Sequence, residues 1–561
     1  MDTQSTKEVA SAHAAHRERE HFFSAAKVVA GLTLLSRILG MIRQMSIVWL
    51  GAKWENSAFQ VAFTLPNLFR RLFGEGALSA AFVPVFTETL EKGGMDKARR
   101  LLANAMALLA VFLLCLMLLV QAGLLVWLWL SPPERKDTQF LVLLTSITLP
   151  YMVLVCLLAL GSAVLNCRGH FAYPAAAPII LNVFMIAADG VAWFFWPGRE
   201  KSQLITLSAS IALAGVVQLW GVLWLLKRSG FQVRLRLRPV EGGVRQILKL
   251  MAPTLLGMGF LQLTSLFDVV VQCFFSGNQF TSTINIFGRQ IHRPLDEGVL
   301  VCVSAAQMLY QFPMGMLAIS LGVAVFPLLS RYASRGDMGN FRDSLNRAIR
   351  LAILEGLATG VGLFVLADPI VRLLYQHGNF SAARAAEAAY ILQMYVLGMW
   401  AYCTYQIFLR AFYSLKSPNT PMKVSCTLAV LYMALVLGLI WVPSINSAAF
   451  GLAAAITFSI NALVLSIILR RRLGRFGGRQ LAVSALRSAV AAGLMAATIW
   501  SLRSWMESHG YGNLKVVAAC VPAGVVVFVA VAAGLQAPEL GELFGAIRRK
   551  AAVPETPTDA V

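Results

Sequence analysis

Two apolar stretches near the start of the chain carry arginines, a costly combination at membrane depth and for that reason an informative one. The first reads SRILGMIRQMSIVWLGA (Ser36–Ala52) and holds Arg37 and Arg43. The second reads VAFTLPNLFRRLFGEGALSAAFVP (Val61–Pro84) and holds Arg70, Arg71 and Glu75. On a helix, Ser36 and Arg43 share one face, and so do Arg37 and Gln44. Arg37 and Arg43 stand roughly 120° apart around the axis, so both can border one wide cavity. Arg71 and Glu75 are an i, i+4 pair able to neutralise each other, which reads as an internal ion pair or interface anchor. The sequence offers Arg37, Arg43 and Arg70 no such partner. Snorkelling to headgroups is the bland reading. Three unpaired arginines in two adjacent helices point instead to an anion site. The planar guanidinium fork bonds two oxygens and stays charged, so the implied ligand is a phosphate or diphosphate. Pro66 interrupts the second stretch and frees backbone groups near Arg70.

These side chains need apolar elements to position them. The chain has 561 residues, 58% hydrophobic and 13% charged, with mean hydropathy +0.68. Soluble domains carry about 25% charge. The apolar residues form runs of about twenty, long enough to cross some 30 Å of hydrocarbon. Runs such as Leu101–Leu130 lack the alternation of membrane strands, which leaves helices. The expected fold is an all-α polytopic membrane protein of about 14 transmembrane helices, centred near residues 38, 70, 115, 152, 184, 215, 262, 313, 357, 396, 431, 458, 493 and 524. The net charge of +21 is read as basic loops against anionic lipid, not as nucleic-acid binding. Basic clusters follow even-numbered spans: Lys92–Arg100, Lys227–Arg245, Arg331–Arg347 and Arg470–Arg479. The positive-inside rule then places both termini in the cytoplasm. The first twenty residues lack the pattern of a cleaved signal peptide. Eight cysteines without a CxxC pair read as small buried hydrophobes. No phosphate-binding loop, metal cluster or nucleophilic triad stands out, so no catalytic residue, metal or cofactor is expected.

The chain also resembles itself. Phe69–Gly93 aligns with Phe312–Gly336 at a constant offset: Leu78 meets Leu321, Ala81 meets Ala324, Pro84 meets Pro327 and Gly93 meets Gly336. Duplicated halves are a common transporter plan. The expected organisation is a cytoplasmic extension (1–24), an N-lobe of six spans (25–229), a C-lobe of six (230–472), two further helices (473–536) and a cytoplasmic tail (537–561).

SRILGMIRQ (Ser36–Gln44) and GAKWENSAFQVAFTLPNLFRRLFGEGALSAAFVPVF (Gly51–Phe86) resemble the N-terminal signature of the MurJ/MviN lipid II flippases of the MOP exporter superfamily. YQFPMGMLAISLGVAVFPLLSRYA (Tyr310–Ala333), LLYQHGNFSA (Leu373–Ala382) and RAFYSLKSPNTPMKVS (Arg410–Ser425) are also similar. The resemblance implies two pseudo-repeated six-helix lobes around a V-shaped cavity, with two C-terminal helices forming a groove for a lipid tail. It implies flipping of lipid II, an undecaprenyl-diphosphate-linked muropeptide, from the cytoplasmic to the outer leaflet of the bacterial inner membrane. Membrane lipids, and cell-wall synthesis or division proteins, are the implied partners. Arg37, Arg43 and Arg70, with Ser36 and Gln44 beside them, fall on the cavity-lining block that faces the diphosphate head. The chain departs from the family pattern in three places. Gln44 stands where an acid is usual, Ser57 where an aspartate is usual, and Met308 where the second lobe usually brings an arginine. The loop Gly277–Asp296, with Arg289, His292 and Arg293, is a candidate to compensate.

Asp268 occupies an acidic family position in the seventh span, and two readings stay open for it. It binds a coupling proton or cation, or it hydrogen-bonds a neighbour. For Asp189, Glu355 and Asp368 interhelical pairing is the plain reading. The rival functions are export of another polyprenyl-diphosphate-linked saccharide, and a non-transporting membrane scaffold.

Overall fold

The computed structural model describes residues 28–74, 77–131, 136–231, 242–277, 283–286, 289–475 and 477–541. They divide into two compact units, Met1–Val269 and Val270–Val561. Among the described residues, eleven helices are long and apolar enough to cross a membrane. The sequence places three further spans, near residues 70, 262 and 396. These fall on a 16-residue helix running into a π-turn, on a helix with the shorter apolar stretch Gln262–Phe275, and on two short helices of 15 and 16 residues. All fourteen expected centres therefore lie on helical backbone.

The first unit begins with α1 (Val28–Trp49), α2 (Trp54–Phe69) and the π-turn Arg70–Gly74. It continues with α3 (Ala77–Leu130), α4 (Lys136–Thr148), α5 (Pro150–Cys167), α6 (Ala172–Phe195), α7 (Glu200–Arg228) and most of α8 (Gly242–Phe275). Pro66 does not end α2, as its type alone would predict. It has no N–H to offer the carbonyl of Ala62, and the buried Thr148 hydroxyl donates to that oxygen instead at 3.0 Å. The disturbance is absorbed four residues later as the π-turn, and the Cys156 thiol sits 3.8 Å from the Phe69 carbonyl beside it. The α3 helix is bent where Gly94 takes φ +75°, a value that a side chain resists. Close packing also needs Gly221: a Cβ there would lie 2.1 Å from the Tyr173 hydroxyl, which donates to the Gln218 carbonyl at 2.8 Å.

The second unit opens with an element the all-α expectation lacks. Two strands, β1 (Thr283–Ile286) and β2 (Arg289–His292), pair antiparallel within the expected loop. Then come α9 (Val299–Met316), α10 (Ala318–Arg335), α11 (Met338–Tyr375), α12 (Ala382–Val396), α13 (Met399–Ser414), α14 (Asn419–Leu439), α15 (Ala449–Leu473), α16 (Gly478–Ser508) and α17 (Asn513–Gly534). The internal repeat has a backbone counterpart. At the offset that aligns Pro84 with Pro327, the break between α9 and α10 at Leu317 falls on Gly74, the end of the π-turn. The chain turn at Gly336, φ +70°, falls beside the bend at Gly94. Both copies thus break the same span twice.

Two contacts hold the second unit's long helices. Gly356 on α11 lets α13 approach so closely that a Cβ would stand 2.6 Å from the Trp400 Cα. Beyond α17, Glu539 is 1% exposed and pairs at 3.2 Å with Arg350 of α11, while Ser484 of α16 donates to the same oxygen at 2.8 Å. Gly356→Leu is expected to cost about 1–3 kcal/mol by overpacking, read as a lower unfolding temperature of the detergent-solubilised protein, with Gly356→Ala intermediate. Arg350→Met leaves a buried carboxylate uncompensated and should cost about 3–5 kcal/mol, most of it recovered when Glu539→Leu is added. A double variant as unstable as the single one would show that the pair does not fasten the segment after α17.

Candidate anion-binding site

Arg43 lies on a seam between α1 and α6. Three side chains of α6 share one face, since Asn182, Met185 and Asp189 are spaced by three and four residues. Each meets α1 in turn. Asn182 donates its amide to the Ser36 carbonyl at 3.0 Å. Met185 presents its sulfur 3.9 Å from Nη1 of Arg43. Asp189 accepts a short hydrogen bond from the Ser46 hydroxyl, which also lies 2.8 Å from the Arg43 carbonyl. Both sets of numbers rise together, so the two helices run parallel along this seam.

Arg43 is held without being saturated. A thioether is a weak acceptor, and the guanidinium's next neighbour is the Phe63 ring of α2, 5.9 Å from Cζ. Its Nε is buried and has no hydrogen-bond partner, and the same is true of Oδ1 of Asp189. Arg70, Tyr151 and Asp189 all lie within Coulombic reach of Arg43. Like charges are thus brought together in an apolar setting, with donors left over. A guanidinium so placed lacks what a phosphate oxygen supplies.

The other expected residues divide as follows. Arg70 has a local partner that the helical spacing did not reveal: Nε donates to Asn67 Oδ1 at 3.0 Å. That bond is neutral and leaves the charge of Arg70 in place. The π-turn starts at Arg70, so the widened backbone sets the direction of both Arg70 and Arg71. Arg37 and Gln44 sit half-buried on α1, and Arg71 is half-buried as well. The expected Arg71–Glu75 pair lies outside the described residues, because Glu75 does. Asp268 is half-buried on α8 and is engaged by neighbours; it is not among the charges acting on Arg43.

The second unit does not repeat the arginine set. At the repeat offset, Arg70 corresponds to Pro313. Near Met308, a stack of aromatic rings fills the space: Tyr310 lies 4.7 Å from Tyr395 and 5.5 Å from Tyr402, which lies 4.1 Å from Phe458. Gln307 joins this cluster by donating to the Tyr395 hydroxyl at 2.9 Å. In the hairpin segment Arg293 donates to the Ser276 carbonyl at 2.7 Å. Arg410 of α13 is half-buried in this unit, over the Phe326 ring at 6.0 Å with its Nε buried and unpartnered. Asp368 follows the pairing read from sequence, bonding Arg372 at 2.7 Å and Arg503 of α16 at 3.4 Å. Glu355 does not: its Oε2 is buried without a hydrogen-bond partner.

Residues missed in sequence are Ser46, Met185 and Asn182, with Asp189 read only as a structural pair. The available signal was the spacing of Asn182 and Asp189 on one face of an otherwise apolar helix.

Comparison with known proteins gives the family and the fold. The profile of the family described as "Lipid II flippase MurJ" matches residues 47–519. A probable lipid II flippase MurJ of Rhizobium tropici is 30% identical over 450 residues, covering 79% of this chain and 80% of the relative. The lipid II flippase MurJ of Burkholderia cenocepacia is 30% identical over 462 residues, covering 81% and 84%. Among solved structures, a lipid II flippase MurJ in an inward closed conformation superposes with TM-score 0.72 at 21% identity, covering 90% of this chain and 97% of that one. An inward-facing MATE multidrug transporter of the MOP superfamily gives TM-score 0.63 at 12% identity, covering 81% and 99%. The chain is thus a multi-pass helical membrane protein, and it belongs to the lipid II flippase MurJ family.

Proposed function

We propose that this chain is a flippase, without a chemical step, that carries lipid-linked peptidoglycan precursor from the cytoplasmic to the outer leaflet of the inner membrane by alternating access. The observation that carries this reading is Arg43, half-buried near Arg70, Tyr151 and Asp189 with its buried Nε unpartnered, in a chain of the lipid II flippase family. In this reading the diphosphate supplies the missing acceptors. Arg43 and Arg70 grip it, Arg37 lies along the path, and Ser36 and Gln44 flank it on α1. The prenyl tail stays in lipid throughout.

The charged loops favour cytoplasmic termini, with six spans in each lobe and the last two helices, α16 and α17, serving the tail. The lobes exchange arrangements only if the head binds one arrangement more tightly than the other. Most of the binding charge then comes from the first unit, since Met308 stands where the second lobe usually brings an arginine. Asp268 remains a candidate for a coupling ion, and cell-wall synthesis or division proteins are candidate partners.

The test is replacement of the resident flippase in depleted cells, with externally accessible lipid II as the readout. The wild-type chain should restore it. Each arginine removed should cost about tenfold or more, on the basis of about 1.5–3 kcal/mol per charged hydrogen bond. Arg43→Ala and the Arg37, Arg43, Arg70 triple alanine variant should therefore fail while accumulating in the membrane. Normal rescue by Arg43→Ala would remove it from the site; failure of a well-expressed wild type would point to another lipid-linked substrate or to a scaffold.

A further inference from the structure

The Arg43 seam contains one group that works against an anionic ligand. Asp189 lies on α6 in Coulombic reach of Arg43, with Oδ2 bonded to Ser46 and Oδ1 buried and unpartnered. A carboxylate placed only for stability would pair with the guanidinium directly, as Asp368 does with Arg372 and Arg503. Asp189 instead bonds a hydroxyl one turn along α1 and leaves half its carboxyl open. In the empty site the negative charge of Asp189 offsets Arg43. When a diphosphate arrives, its charges face that carboxylate across a medium that screens poorly. Two negative groups competing for one cation cannot both stay ionised cheaply.

Among the described residues no other group relieves the conflict. Asp189 is the sole Asp or Glu of α6, whose remaining titratable side chain is Tyr173 near its start. From α1 the facing charge is Arg43, with Arg37 farther along the helix. The α5 helix brings Tyr151, Cys156 and Cys167 and no carboxylate. The α7 helix, packed along α6, has Glu200 and Lys201 at its start and Lys227 and Arg228 at its end, with no charge between. Arg70 reaches Arg43 from the π-turn, and Arg43 is the one charge acting on Asp189.

We infer that Asp189 is the exchangeable counter-ion of Arg43: a proton enters on Asp189 as the diphosphate takes the arginine, and it leaves when the head departs. This assigns a coupling proton to the first unit, and it rests on reading Arg43 as the diphosphate site. Occupation then exchanges one internal neutralisation for another. Arg43 passes from Asp189 to the phosphate, and the carboxyl, now neutral, keeps its hydrogen bond with Ser46.

The experiment uses the full chain in nanodiscs and a water-soluble prenyl-diphospho-sugar, whose two phosphates stay ionised across the range studied. Binding is measured by calorimetry between about pH 5.5 and 8.5 in buffers of different ionisation heat, which reports proton uptake directly. For the wild type, affinity should fall up to about tenfold per unit rise in pH, with uptake approaching one proton per probe bound. Asp189→Asn is isosteric and still accepts from Ser46. It should bind with no pH slope and no proton uptake, at least as tightly as the wild type does at the acid end. A slope and uptake that survive Asp189→Asn overturn the inference, as does a wild type that binds without taking up a proton. An Arg43→Ala variant that binds as tightly as the wild type overturns the anion site beneath it instead. Infrared spectra of the wild type with and without probe give a second readout. A protonated-carboxyl band that appears with the probe and is lost in Asp189→Asn supports the exchange; no such band overturns it.

Discussion

Hydrocarbon supplies no hydrogen bonds, and that single lack governs the structure. Every irregularity in a spanning helix has to find its acceptors and donors inside the protein. The second span shows the consequence. Pro66 orphans one carbonyl, and Thr148 covers it from α4. The π-turn that follows places Phe69's carbonyl against the Cys156 thiol and turns Arg70 and Arg71 around the axis. The backbone defect sets the direction of Arg70 and Arg71, and it is tolerated because two neighbouring helices have polar atoms at the right height.

The same constraint explains what was legible in the sequence. Spans, their number and the repeat are written in long apolar runs and in the spacing of Pro84, Pro327 and Gly336, because hydrophobic length and backbone breaks are local properties. The arginine pattern was also legible, because charge in an apolar run is conspicuous. Partners were not. Asn67 beside Arg70 and the hydroxyl of Ser46 are ordinary polar residues until the fold brings their atoms within reach. The hairpin β1–β2 was hidden for a related reason. Its strands are four residues each, too short for a period-two pattern to stand out within a loop.

The two units break a helix at positions related by the repeat offset. Arg70 opens the break in the first unit and Pro313 stands at the matching position in the second, on a helix that also stacks Tyr310 against Tyr395. A tyrosine stack buries large apolar area and needs only a few hydrogen bonds, such as that from Gln307. It favours a rigid packing. A cluster of arginines does the opposite, adding repulsion that something else must relieve. The matching breaks thus carry different side chains, with the Arg43–Arg70 repulsion lying in the first unit.

How completely a buried charge is satisfied separates scaffold from site. Arg503 shows the scaffold case. Its Nε bonds Glu507, its Nη1 the Val365 carbonyl and its Nη2 Asp368, so each of its nitrogens has an acceptor. Arg350 is an intermediate case, ion-paired with a carboxylate that a serine also holds while its Nε stays buried without a partner. Arg43 has a thioether, an aromatic face and a nearby carboxylate bonded elsewhere. Burial of a guanidinium on those terms is unfavourable unless the empty state is only one stage of a cycle. In the proposed function the cost borne in that stage is recovered when a ligand with phosphate oxygens arrives, and that recovery would make binding selective. On that reading a neutral lipid gains nothing from Arg43, whereas an anionic head gains the bonds that the protein withholds from it.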